Sequence, residues 1–174
     1  MTISLIIRKA IQQDYKQIAK VHVDSWRTTY HGIIKESYLQ NIKYEDRENL
    51  WTSALAEESH HIWVAEVNHK IVGFVSGGRE RTNKYGIEGE LYAIYILKEF
   101  QQKGIGKKLV TTFAEDLKTN GYSSMLVWVL SENPSTLFYQ SLKPAVIDYE
   151  YIDIGGENHK ETAYGWKDLT NLLA

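Results

Sequence analysis

The chain has 174 residues, 43% of them hydrophobic and 24% charged, with a formal net charge of -2 and no cysteine. A chain of this size buries a core without metal or disulfide support, and the missing thiols exclude disulfides, thiolate nucleophiles and zinc-thiolate sites. So small a net charge gives no reason to expect nucleic acid or an anionic membrane as the main partner.

The length fits one domain over residues 1–174. The segment Met1 to Lys9 lacks the basic region, long apolar run and small-residue cleavage site of a signal peptide. No stretch approaches the roughly 20 apolar residues of a membrane span, so a cytoplasmic protein is expected.

Ser4 to Lys9 alternates weakly and predicts a first strand. Asp14 then stands where it would cap a helix running to about Thr29, with Tyr15, Ile18, Ala19, His22 and Trp26 on one face. Thr28 to Gly32 closes that helix and opens a loop that holds Tyr30 and His31. Lys35 to Ile42 and Tyr44 to Ala56 read as further helical pieces, the second with Leu50, Trp51 and Leu55 as apolar contacts. The charges between Lys35 and Glu48 mix signs, as on a solvated helical surface.

His61 to Val67 and Ile71 to Gly78 predict two strands joined at Asn68-His69-Lys70, a hairpin. Glu90-Leu91-Tyr92-Ala93-Ile94-Tyr95-Ile96 is the next strand, and after Leu97 to Phe100 comes Gln101-Gln102-Lys103-Gly104-Ile105-Gly106-Lys107. From Gly104 the apolar residues fall at Ile105, Leu109, Phe113 and Leu117, the spacing of a helix that stops at Asn120-Gly121. Ser124 to Leu130 is apolar throughout, as in a strand buried on both faces. Strand, helix and strand in so few residues imply a right-handed crossover and a parallel pair. Glu132-Asn133-Pro134 starts a short helix that ends at Lys143-Pro144. Val146 to Ile154 and Glu161 to Trp166 complete a mixed sheet, with Tyr149 and Tyr151 able to pair with Tyr164 and Trp166 across strands or to form an aromatic surface for a homodimer.

The stretch from Glu90 to Lys107 carries the chemistry. The first turn of a helix presents N–H groups with no partner inside the helix, and Gly104 and Gly106 let the main chain approach a bulky ligand. With Lys103, Lys107 and Lys108 beside it, this helix end suits a phosphate-bearing guest. Taken alone it is equally a plain tight turn before a helix. The six histidines show no metal-ligand spacing, and the adjacent His60 and His61 point to opposite faces of a strand. No metal is expected.

Gln101-x-x-Gly104-x-Gly106 matches Gln/Arg-x-x-Gly-x-Gly/Ala, and Asn133-Pro134-Ser135-Thr136-Leu137-Phe138-Tyr139 matches Asn-x-x-x-x-Phe-Tyr. With the hairpin before and the two strands after, the chain resembles the GNAT N-acetyltransferase superfamily along most of its length. The resemblance implies the GNAT fold, an α+β mixed sheet that is mostly antiparallel with one splayed parallel pair and helices on both faces. It also implies acetyl-CoA as donor cosubstrate and a small-molecule or peptide amine as acceptor. The pantetheine arm would lie on the main chain of Ile94, Tyr95 and Ile96. The pyrophosphate would lie on the N–H groups of Gln102, Lys103, Gly104, Ile105, Gly106 and Lys107. Asn133 would contact the pantetheine or phosphate region, and Tyr139 would give a proton to the leaving thiolate. Glu90, or failing it Glu88, would take the proton of the amine, directly or through water, and Tyr30 and Trp26 would line the acceptor pocket. The chain departs from the family in having Lys143-Pro144 where a glycine-containing pair is usual.

Two rival readings keep the helix end but change its use. One is a non-catalytic acyl-CoA-binding or sensing module. The other is a nucleotide-binding domain, against which stand the missing Gly-Lys-Ser/Thr and Gly-x-Gly-x-x-Gly patterns.

Overall fold

The computed structural model describes residues 4–173. Met1, Thr2 and Ile3, which open the segment read for a signal peptide, lie outside the described residues. Strands β1 (Leu5–Lys9), β2 (His61–Val67), β3 (Lys70–Arg79), β4 (Gly89–Ile96), β5 (Met125–Leu130), β6 (Ala145–Ile154) and β7 (Glu157–Trp166) form a sheet in the order β1-β2-β3-β4-β5-β7-β6. Every neighbouring pair is antiparallel except β4 and β5. Both tight hairpins use residues in the left-handed region. Asn68 and His69 turn β2 into β3, and Gly155 and Gly156 turn β6 into β7, the geometry that matches strand twist.

Helices α1 (Tyr15–Thr29), α2 (Glu36–Gln40) and α3 (Tyr44–Leu55) lie on one face, while α4 (Ile105–Thr119), α5 (Ser135–Ser141) and α6 (Leu169–Leu173) lie on the other. Apolar residues at helical spacing put Leu109, Phe113 and Leu117 of α4 against Val75, Leu91 and Val127 of the sheet. Burying each such side chain stabilises the fold by about 1.5–3 kcal/mol. Ile18, Val21 and Trp51 cover Ile62, Val64 and Phe74 on the opposite face. Leu50 departs from its expected packing and is 44% exposed, because the amphipathic stripe of α3 turns on Trp51.

The anticipated cross-strand aromatic pairs do not form. The register puts Tyr149 opposite Thr162 and Tyr151 opposite Lys160. Tyr149 and Tyr151 are exposed, whereas Tyr164 and Trp166 are buried. The short α6 had no counterpart in the sequence reading; Leu169 and Leu172 add it to the core beneath α4. No described helix is long and apolar enough to cross a membrane.

Candidate active site

The parallel pairing of β4 and β5 covers only Gly89 with Met125, Glu90 with Leu126 and Leu91 with Val127. Beyond Leu91 the strands diverge. Tyr92 is an extra residue in the β3–β4 ladder, since Ser76 pairs with Ala93 and Gly77 with Leu91, and such a bulge bends its strand. A cavity of about 160 Å³ opens in the gap, lined by β4, β5, the end of α1, the start of α5 and the β6–β7 hairpin.

The hydrogen-bond parity of β4 decides which main-chain groups face that gap. Leu97 donates to Val72 at 2.9 Å, and the register continues as Gly73 with Ile96, Phe74 with Tyr95 and Val75 with Ile94. In an antiparallel pair, bonded and non-bonded positions alternate. Tyr95 is therefore tied to Phe74, while the main chains of Ile94 and Ile96 turn toward the gap. The Ile96 carbonyl accepts from Gln101 Nε2 at 2.9 Å, so the motif glutamine fastens the following loop to the strand. Of the three residues expected to present main chain, Ile94 and Ile96 are brought to the gap. Tyr95 contributes its side chain instead.

The loop before α4 holds Gln102 at φ 59° and Gly104 at φ 82°. Lys108 makes the first helical bond, to the Gly104 carbonyl at 3.2 Å. The amides of Gln102, Lys103, Gly104, Ile105, Gly106 and Lys107 meet no acceptor among the described residues. A Cβ built on Gly104 would meet nothing within 4 Å, so open space lies over the loop. Consecutive free amides at a helix start, without a side chain above them, fit a pyrophosphate. The loop and the free main chain of β4 together suit a ligand that carries phosphates and an extended polar arm.

On α5 Tyr139 is only 3% exposed and lines the cavity. Its ring packs on Phe138 at 5.3 Å and stacks near Tyr164 at 6.4 Å. Its hydroxyl has no hydrogen-bond partner among the described residues, and burial, with a smaller effect from Tyr30, pushes the phenol well above its ordinary pKa. It stays protonated at neutral pH, as a proton donor must.

The opposite wall is built from side chains. Tyr30, 5% exposed, shares a hydrogen bond with Tyr95 between hydroxyls at 3.2 Å and accepts from Asn133 Nδ2 at 3.3 Å. Asn133 Oδ1 accepts the Ser135 amide at 2.9 Å. Asn133 therefore ties Tyr30 to the start of α5. Trp26 lines the cavity with its ring 4.7 Å from Tyr30. His31 remains outside, exposed and 3.4 Å from Glu36. Beneath Tyr95, His22 stacks at 5.4 Å and accepts from Trp51 Nε1 at 3.1 Å. Burial, aided by Arg47, lowers its pKa to about 3, so the imidazole is neutral.

Glu90 sits where β4 and β5 are still paired, and it is 1% exposed. Its carboxylate accepts from Arg81 Nη2 at 2.6 Å, Arg81 Nε at 3.3 Å and the Arg81 amide at 3.1 Å. It is absent from the cavity lining. Glu90 thus anchors the β3–β4 connection, from which Arg81 reaches its carboxylate. Glu88 is likewise engaged, accepting from the Ser123 amide at 3.0 Å. The carboxylate that does line the cavity is Glu161 of β7. Sequence reasoning missed it because β7 adjoins β5 in the sheet but not in the chain; alternation along β7 was the only signal. The unusual Lys143 is explained by φ 56°: it takes the left-handed position that a glycine would favour after α5.

Among the described residues, no group of three or more His, Cys, Asp or Glu side chains is placed to hold a metal ion.

A run of free amides, a splayed parallel pair and a cavity lined by a buried tyrosine suit an acyl-CoA-using transferase. The sequence agrees: residues 15–143 match the Acetyltransferase (GNAT) family. The chain is 44% identical to the uncharacterized N-acetyltransferase YuaI of Bacillus subtilis (strain 168), with 95% of each chain covered. It is similar in fold to the PaiA N-acetyltransferase of Thermoplasma acidophilum in complex with coenzyme A, with TM-score 0.68 and 22% identity, covering 91% of this chain and 98% of that one. The YncA protein of Salmonella typhimurium with acetyl-CoA gives TM-score 0.71 and 18% identity, covering 95% and 94%. The chain belongs to the GNAT acetyltransferase family and is an acetyl-CoA-dependent N-acetyltransferase.

Proposed function

We propose that the enzyme acetylates a primary amine, of a small molecule or a peptide, by direct attack within a complex that holds donor and acceptor together. The observation that carries this reading is a cavity, opened where β4 and β5 part, with two unlike sides. Ile94, whose main chain turns toward the gap, lines one side and leads by way of β4 to the free amides of Gln102 to Lys107, and Trp26, Tyr30 and Tyr95 stand on the other. A donor and an acceptor entering from the two sides would meet at Tyr139. Without cysteine no acyl-thioenzyme can form, which favours a single transfer.

Acetyl-CoA supplies the acetyl group as a thioester. The main-chain N–H of Ile94, unpaired toward β5, is placed to donate to the carbonyl oxygen as charge develops there. Tyr139 gives its phenolic proton toward the departing sulfur, and the hydrogen bond need only stabilise developing charge, because the phenol's raised pKa disfavours full ionisation. The Tyr30–Tyr95–Asn133 network fixes the acceptor wall so that the amine approaches in one orientation.

The test is an acceptor screen with acetyl-CoA, read by release of free CoA, alongside thermal shifts with acetyl-CoA, ATP and NAD. Acetyl-CoA at 100 times its dissociation constant should stabilise by about 2.7 kcal/mol, and at least one amine should release CoA. Stabilisation by ATP or NAD with none by acetyl-CoA would overturn the reading. Acetyl-CoA binding without turnover on any amine would favour a sensing module.

A further inference from the structure

The reaction needs a group that takes the ammonium proton, and the residues lining the cavity narrow the choice. Tyr30, Tyr92, Tyr95 and Tyr139 all hold their protons more firmly than a free phenol, burial being the largest cause for each. None is a proton acceptor at neutral pH. No histidine or lysine lines the cavity, and Glu161 contributes its only carboxylate among the described residues.

Sheet register places that carboxylate. Met125, Val127 and Val129 of β5 face the core beneath α4, so Leu126, Trp128 and Leu130 face the acceptor side. Glu161 pairs with Leu130 and with Glu150 of β6, which sets its side chain on that same face, beside Ile152 and Ile154 and across from Trp26 and Tyr30. Its charged neighbours already have partners. Arg81 holds Glu90 at 2.6 Å, and Lys84 lies 3.8 Å from Glu150. Glu161 accepts no hydrogen bond and forms no ion pair among the described residues. A half-buried carboxylate without a cation, in a cavity that must receive an ammonium ion, lacks only its ligand.

We propose that Glu161 binds the ammonium of the acceptor and takes its proton, as the general base of the transfer. This rests on the acetyltransferase reading above. One N–H⁺ proton passes to the Glu161 carboxylate, directly or through one water, and the freed lone pair forms the C–N bond as the C–S bond breaks. The sulfur leaves with a proton from Tyr139, the second nitrogen proton restores the phenol, and Glu161 returns its proton to solvent. The groups that set its field are Glu150 on β6, Glu90 on β4 and Arg81 between β3 and β4. Burial, then Glu150, raise the carboxyl pKa, and Arg81 opposes them. A raised pKa brings the base nearer the working pH.

The experiment uses Glu161→Gln and Glu161→Asp, with CoA release followed from pH 6 to 9.5 on spermidine, L-methionine and an alanyl peptide. Acetyl-CoA binding is measured by calorimetry. With the best of these amines, Glu161→Gln should lower kcat by about 100-fold or more and leave the acetyl-CoA Kd within about twofold. Its rate should climb about tenfold per pH unit where the parent levels off, since solvent must then remove the proton, and Glu161→Asp should recover part of the loss. A Glu161→Gln kcat within threefold of the parent, or a parent-like plateau, would overturn the assignment. A parent that releases no CoA with any of the three amines would overturn the transferase reading and this assignment together, a result that differs because it precedes any substitution.

Discussion

The two sides of the proposed site are made of different material. The proposed donor side is main chain: the polar groups of Ile94 at the cavity and, beyond it, those of Ile96 and the amides from Gln102 to Lys107 in the loop after β4. The proposed acceptor side is side chain: Trp26, Tyr30, Tyr95, Asn133 and Glu161, placed by α1, β4, the start of α5 and β7. A main-chain wall tolerates most changes of side chain but not of backbone conformation. A side-chain wall is sensitive to the loss of a single hydroxyl or carboxylate, which suits it to choosing the acceptor.

Tyr139→Phe should separate the walls most sharply. We expect kcat to fall by about 100-fold or more while calorimetry finds the acetyl-CoA Kd nearly unchanged; full turnover would remove Tyr139 from the chemistry. Acid should come next, through the acceptor wall. His22 is held neutral with a pKa of about 3, against about 6.5 unfolded. Because the folded value is depressed, its contribution is present above pH 6.5 and is lost as pH falls toward 3. The loss reaches about 1.4 kcal/mol per pH unit. Urea melts between pH 6.5 and 5 should show that slope, and His22→Gln should flatten it; an equal slope in the variant would assign the effect elsewhere.

Gly104→Ala tests the donor wall. The left-handed conformation at φ 82° costs a residue with a Cβ about 1–2 kcal/mol, and the added methyl meets no protein atom. Acetyl-CoA should therefore bind about tenfold more weakly, with the acceptor KM unchanged. Lys103→Ala should do least, weakening acetyl-CoA binding by less than about fivefold, in keeping with a salt-screened surface charge worth up to about 1 kcal/mol. A large loss there would mean that side chains, not amides, carry the phosphates.

The strand, loop and helix of the proposed donor side were legible in the sequence because their signals are local. The glycines of the loop, the helical spacing of Ile105, Leu109 and Phe113, and the apolar runs on either side lie within one strand-loop-helix-strand unit. The acceptor wall was legible only in pieces. Tyr30 and Trp26 were anticipated as lining, but the contact of Tyr30 with Asn133 spans 103 positions and no local pattern announces it. Glu90 had the right residue type and neighbourhood for a base, yet Arg81 arrives from the β3–β4 connection to hold it. Glu161 looked like an ordinary strand residue until β7 was found against β5.

The sequence by itself determined the order of the elements as far as β7 and the glycine loop that frees a run of amides, since periodicity and turn chemistry act over a few residues. Only the tertiary structure decided which carboxylate lines the cavity. That choice depends on strand order, on register and on the three-residue length of the β4–β5 pairing, and a shift of one residue in register would turn Glu161 to the opposite face of the sheet.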